Sequence, residues 1–237
     1  MRRSVLSLLN EAKQKMSGYV ALFTYRLMNL CVKAEPASLL SIEIKDGDSS
    51  IGLDVVSDVG QVDDFQFIII PKIRSVVNEI VKAIVSVHPE FIYEIKKVDE
   101  PTNEEDEEAE VVLYITMPEV NEERRDLLND TVEVLYNDCN LKCNAVYDKC
   151  LVEVGTKLIM APDSERNEGK EQLERLHTTI KELMDDYKER KLNEIEEGYE
   201  RYLKKKEEKE LKQKSEEKAH NKNAGMSMKL FGEDDDE

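Results

Sequence analysis

Nine glycines in a chain of 237 residues leave little room for nucleotide chemistry. There is no Gly-x-x-x-x-Gly-Lys-Ser/Thr phosphate loop and no dinucleotide fingerprint, and both motifs need glycine where backbone amides close on phosphate. Histidine is scarcer still. His88, His177 and His220 are the only three, none has a partner at a spacing that forms a dyad, and each reads as a surface residue. No run approaches the roughly 18 apolar residues of a membrane span, so the sequence reads as soluble, with no membrane partner. The start, "MRRSVLSLLNEAKQKM", carries two arginines and a short apolar patch but no h-region, and reads as a helix rather than a signal peptide. Four cysteines, three of them clustered at helical spacing, are too few for a secreted disulfide framework and point to a reducing compartment.

Positive charge is also in deficit. Thirty-four Lys and Arg face 52 Asp and Glu, a net charge of −18, which argues against broad contact with a phosphate backbone. The excess is uneven. The segment "DEPTNEEDEEAE" (99–110) holds eight acids and no base, and "EDDDE" (233–237) holds five more, so the rest of the chain is only mildly acidic. Such blocks read as solvated spacers.

What is present is organised by period. Val5, Leu8, Ala12, Met16, Tyr19, Phe23, Leu27 and Leu30 recur at helical spacing and predict one long helix over residues 4–31. From Ser38 the pattern shortens. "SLLSIEI", "SIGLDVVSDVG", "FQFIIIP", "EFIYEIKKV" and "EVVLYITM" read as strands, "KDGDSS" as a turn, and Ile73 to Val87 as an amphipathic helix. Helical spacing returns after Pro118 with Leu128, Val132, Leu135, Cys139, Val146 and Cys150, a seam suited to coiled-coil-like packing. A break is expected at "APDSERNEG", then a last helix from near Lys170 whose inward face is Leu173, Leu176, Ile180, Leu183 and Tyr187. Beyond about Tyr202 the chain is nearly all charged and reads as an exposed helical extension fading into a tail.

These elements assemble into an α+β protein. An elongated three-helix bundle (1–31 and 117–205) is interrupted by a small mixed α/β domain (36–116) carrying the acidic loop, and a charged extension with an acidic tail (206–237) follows. The chain crosses between the units twice, which predicts a two-stranded hinge. Met117, Pro118, Glu119, Val120 and Asn121 form the second crossing, and the proline limits how it bends.

Asn121-Glu122-Glu123-Arg124-Arg125 directly follows that crossing, "AKQKM" (12–16) lies in the first helix, and "PASLL" (36–40) closes it. In this order and spacing the chain resembles the ribosome recycling factor family, over roughly residues 5–205. The matching family motifs are Thr-Glu-Glu-Arg-Arg, Ala-Glu-x-Arg-Met and Ser-Pro-Ser-Leu-Leu. The resemblance implies a translation factor that binds the post-termination ribosome between its subunits and promotes their separation with an elongation factor G-type GTPase. On that reading the bundle is the anchor, the α/β domain the moving part, and the protein a monomer that is not an enzyme and holds no cofactor. Any GTP belongs to the partner. Glu122, Glu123, Arg124, Arg125 and Lys33 match ribosome-binding positions, with large-subunit rRNA or ribosomal proteins as the expected contacts.

Departures from the family pattern are as informative. Cys31, Val32, Lys33, Ala34 and Glu35 stand where the family has Arg-Thr-Gly-Arg-Ala. Asn144, Ala145, Val146, Tyr147, Asp148 and Lys149 stand where it has the RNA-facing Arg-Asn-x-Arg-Arg-Asp. Each lost charge-assisted phosphate contact weakens RNA binding, so Cys31, Asn144, Tyr147 and Asp148 are degenerate RNA-facing positions. This erosion implies an organellar factor, mitochondrial in preference to plastid, with a cytoplasmic location as the alternative. A second reading is a recycling-inactive protein of the same fold serving as a structural or assembly component of an organellar ribosome.

Three features have plainer explanations beside these. Cys139, Cys143 and Cys150 share a helix face and could offer thiolates to a soft metal, but buried cysteine is a small hydrophobe, so core packing is expected and no metal site. Glu122 and Glu123 suit the dipole of any helix N-terminus. Tyr147 either stacks on a base or covers the bundle, and cover is the expectation.

Overall fold

The computed structural model describes residues 3–40, 42–46, 49–97 and 111–229. The expected acidic loop at 99–110 and the acidic tail therefore lie outside the described residues. Three long helices, α1 (Arg3–Met28), α5 (Glu122–Lys157) and α6 (Asp163–Lys229), form the bundle. Between α1 and α5 lies the inserted domain: α2 (Pro36–Leu39), β1 (Glu43–Asp46), β2 (Ser49–Gly52), α3 (Leu53–Val56), β3 (Ser57–Asp63), β4 (Gln66–Pro71), α4 (Val77–Val87), β5 (Ile92–Lys97) and β6 (Val111–Thr116).

The bundle core follows the apolar stripes. Val5, Ala12, Met16, Val20 and Phe23 of α1 meet Val132, Cys139, Cys143, Cys150 and Val154 of α5 and Leu173, Ile180, Met184 and Ile195 of α6. The three α5 cysteines are core residues. Cys139 Sγ lies 3.7 Å from Met184 Sδ and Cys150 Sγ 3.8 Å from the Leu8 carbonyl, so the thiols pack as small apolar groups with weak donors. On α6 the inward residue is Met184, and Leu183, expected inside, is exposed. The buried positions of α6 step at Leu173, Ile180, Met184, Lys191 and Ile195, a narrower line that rotates Leu183 outward.

The break before α6 also falls earlier than expected. The chain turns at Leu158–Pro162, and Pro162 lets α6 begin at Asp163, since a proline before a first helical turn removes no needed donor. Gly169, expected in the break, is inside the helix: a Cβ there would lie 3.1 Å from Leu158 Cδ1 and 3.3 Å from Val154 Cγ1, so it allows the close approach of α5 to α6. The charged extension is helical through Lys229. Its side chains from Lys206 to Ser215 are exposed.

In the inserted domain a four-stranded antiparallel sheet of order β3-β4-β6-β5 and a β1-β2 hairpin enclose one core with α4. Alternation decides the faces: Phe67 and Ile69 of β4 and Leu113 and Ile115 of β6 point inward onto Ile80 and Ile84 of α4. Two expected strands are interrupted. "SLLSIEI" begins as the helical turn α2, because Pro36 at its first position starts a helix and buries Leu39. "SIGLDVVSDVG" is split by α3. The Ser57 hydroxyl donates to the Leu53 carbonyl at 2.8 Å and Lys72 Nζ donates to the Asp54 and Val55 carbonyls, which holds that turn and buries Leu53.

Candidate functional site

The two crossings, residues 29–35 and 117–121, lie side by side and are pinned to one place on the inserted domain. Ala34 N–H donates to the Asp64 carbonyl at 2.9 Å and Met117 N–H to the Phe65 carbonyl at 2.8 Å, on consecutive residues of the β3–β4 turn. Side chains of each crossing divide between the two cores. Cys31, Ala34 and Met117 are buried in the sheet domain, while Val32 and Val120 are buried in the bundle. Gly198 of α6 completes the seat: a Cβ there would come within 2.6 Å of Val32 Cγ1 and 3.1 Å of Val120 Cγ2. β-Branched valines cannot swing aside, so that turn of α6 has to be glycine for the crossings to lie on it.

Asn121 ends the second crossing and caps α5, its side-chain oxygen accepting from Arg124 N–H at 2.8 Å. Glu122 and Glu123 follow in the first turn, where the helix dipole favours them. The cap also sets the direction of Arg124, whose side chain is only 13% exposed. It donates from Nη2 to the Cys31 carbonyl at 3.1 Å, and the same nitrogen is 3.7 Å from Glu90 Oε1. Arg124 thus bridges the start of α5, the first crossing and the α4–β5 loop. Its Nε is buried without a partner among the described residues. Arg125 lies over the Tyr199 ring at 4.4 Å and donates from Nε and Nη2 to Asp126. Lys205 of α6 lies 4.1 Å from the Phe65 ring centroid and 3.6 Å from Glu119, tying α6 to both the sheet domain and the second crossing.

His88, expected at the surface, is 2% exposed and sits inside this joint. Its ring stacks on Phe91 at 4.5 Å, its Nε2 is 4.0 Å from Cys31 Sγ and its Nδ1 is 3.9 Å from Glu90. Burial holds the imidazole pKa below its ordinary value, with the Glu90 carboxylate opposing and Arg124 reinforcing the shift. Burial likewise pushes the Cys31 thiol up. Neutral histidine beside a protonated, buried thiol is a packing arrangement, not an activated nucleophile. The sign of the pH effect follows: above the unfolded histidine's pKa of about 6.5 both states are neutral, and below it the unfolded chain binds the proton first. Stability is therefore expected to fall from about pH 6.5 downward until the folded histidine titrates. Chemical denaturation from pH 7.5 to 5 of the native chain and H88Q should show a smaller acid loss in the variant; parallel curves would remove His88 from the effect.

His177, also expected at the surface, is half-buried. It bonds through Nε2 to Asn144 Oδ1 at 2.8 Å and packs on the Tyr147 ring at 4.5 Å. Tyr147 leans on the bundle core, as cover, and Asp148 beside it is exposed. Lys33 is half-buried and lines a cavity of about 110 Å³ with Cys31, Lys191 and Glu194. The expected site residues thus fall in two places: Cys31, Lys33, residues 117–121 and Arg124–Arg125 gather at the joint, while Asn144, Tyr147 and Asp148 lie on α5 away from it. Sequence reasoning missed His88, Glu90, Phe65, Tyr199 and Lys205. Only Gly198, a lone glycine within a charged helical run, carried a local signal.

Solved structures share this fold. The solution structure of a ribosome recycling factor matches with a TM-score of 0.66 over 83% of this chain and 100% of that one, at 18% identity. The chain has the ribosome recycling factor fold. A second match is to models of the T. thermophilus ribosome recycling factor and E. coli elongation factor G bound to the E. coli post-termination complex. It has a TM-score of 0.52 and 17% identity, and covers 81% of this chain and 98% of that one. No protein-family model and no curated protein sequence matches the chain. In this version of the ribosome recycling factor fold the joint is closed by Arg124, Lys205 and the seat at Gly198.

Proposed function

We propose that the protein is a ribosome recycling factor-like translation factor, a non-enzymatic monomer that binds the post-termination ribosome between its subunits. With an elongation factor G-type GTPase it promotes subunit separation, and it works in an organelle, the mitochondrion in preference to the plastid. The observation that carries the reading is the fold match along the full length of a ribosome recycling factor, with the two-crossing joint between its parts. Asn121 to Arg125 in register at the start of α5 supports it. Glu122, Glu123, Lys33 and Arg125 offer charge at the ribosome in this reading, while Arg124 sets the angle at which the two domains are presented. The face of α5 that carries Asn144, Tyr147 and Asp148 has no arginine, which favours protein over rRNA as its contact there.

Sedimentation of the purified protein with ribosomes of its own organelle, with and without the GTPase and GTP, tests this. Salt-sensitive binding and GTP-dependent conversion of monosomes to subunits are expected. Salt-resistant binding without splitting would instead establish the structural or assembly role, and no binding would defeat both.

A further inference from the structure

Helix α5 is apolar on two faces, and only one is buried. Leu127, Val134, Leu141 and Val152 point to solvent, each between 66% and 70% exposed, at separations of 7, 7 and 11 residues. Those separations return to nearly the same angle of an α-helix, and Ala145 lies on the same line. A monomeric protein rarely leaves such a continuous row uncovered, and a repeat of seven is the spacing at which a second helix packs along the first.

The charges beside the row say what that helix must be. Glu123 and Asp130 bracket Leu127 at i−4 and i+3, and Asp148 lies four residues before Val152. All three are exposed and none forms an ion pair among the described residues. The remaining positions of that flank are Asn137 and Asn144, so it carries no cation. On the opposite flank, Lys142 and Lys149 are paired within the chain to Asp138 at 2.7 Å and Glu153 at 4.0 Å. A phosphate backbone would meet uncompensated carboxylates here. A second copy fits no better: a two-fold contact sets the same patch against itself, and each chain carries a net charge of −18.

We propose that this face of α5 docks an amphipathic α-helix of a protein partner, one with apolar residues at heptad spacing and lysine or arginine along the flank that meets Glu123, Asp130 and Asp148. The inference does not depend on the ribosomal reading. Cations of the partner supply the missing counter-charges, and its apolar row covers Leu127 to Val152. Next to the row, the α1–α5 groove of about 340 Å³, floored by Leu8, Ala12, Val146 and Cys150, gives larger partner side chains a place to enter.

The test uses the full chain and a labelled synthetic four-heptad helix with leucine along its seam and lysine on its flanks, measured by fluorescence anisotropy. The lysine helix is expected to bind at least about tenfold tighter than the same helix flanked by glutamate. V134Q/L141Q, at exposed positions and checked by circular dichroism and melting, should lose about tenfold in affinity, and E123Q/D130Q/D148Q should lose both affinity and salt sensitivity. Equal binding of the two helices, or binding indifferent to V134Q/L141Q, would overturn the proposal. So would an RNA duplex held through the same residues, or a dimer in sedimentation equilibrium that V134Q/L141Q dissolves.

Discussion

Replacing Arg124 by alanine is expected to lower the unfolding free energy by about 2 kcal/mol and to loosen the angle between the two domains. The guanidinium donates to the Cys31 carbonyl inside the joint, and a hydrogen bond from a charged group to a buried partner contributes about 1.5–3 kcal/mol. The lower part of that range applies, because Nε is already buried without a partner and its desolvation is relieved by the truncation. Glu90 contributes less. Its carboxylate is 3.7 Å from Nη2 and 40% exposed, so E90Q should change stability by about 0.5 kcal/mol or less. The contrast is the check: thermal melts of R124A and E90Q, with small-angle scattering to follow the interdomain angle. An R124A effect no larger than that of E90Q would show that the carbonyl contact does not hold the joint.

Larger losses are expected from the two cores. Phe23, edge-on to Tyr136 in the bundle, and Phe67, beside Phe91 in the sheet domain, are each buried, and truncating either to alanine should cost about 3–5 kcal/mol. That is a large share of the roughly 5–15 kcal/mol that holds a typical domain folded. The informative quantity is whether both cores respond. Val32 and Val120 sit in the bundle while Cys31 and Met117, their neighbours or near neighbours in the chain, sit in the sheet domain, so neither core can open at the joint without dragging the other's residues. F23A and F67A are therefore each expected to melt in one transition reported equally by probes in both domains. Adding R124A to F23A should separate the transitions, with the sheet domain melting second. Two transitions in F23A alone would mean that the crossings are passive tethers.

Closure at the joint bears on how a domain swing could work. Two crossings anchored to consecutive carbonyls at Asp64 and Phe65 leave bending to the few bonds between those anchors and the bundle seat at Val32 and Val120. Motion would have to release Arg124 from the Cys31 carbonyl and Lys205 from Phe65 and Glu119, contacts that are individually modest. A partner that binds both domains could supply that much through differential contact.

Much of the architecture was legible because it is written in short periods. One face of α1, the alternation in β4 and β6, and the return to helical spacing after Pro118 are each set by residues within a few positions of one another, where burial of apolar side chains on one side dictates the element. The same locality explains the errors. The α2 and α3 turns are too short to show a period, and Pro162 with Gly169 looked like a loop because glycine's role there is to admit α5 side chains, which no window along α6 contains. His88 read as a surface residue because its chain neighbours Glu90 and Phe91 do not by themselves bury it: Cys31, which closes over it, is 57 residues away, and Arg124 and the Cys31 carbonyl are 93 residues apart. Local periods and the Pro118 connector suffice to specify a helical bundle interrupted by a small sheet domain and joined to it through residues 117–121. Closure of the joint by a buried arginine, a neutral histidine and a glycine seat is visible in no local window, because those contacts arise when distant segments converge and exclude water together.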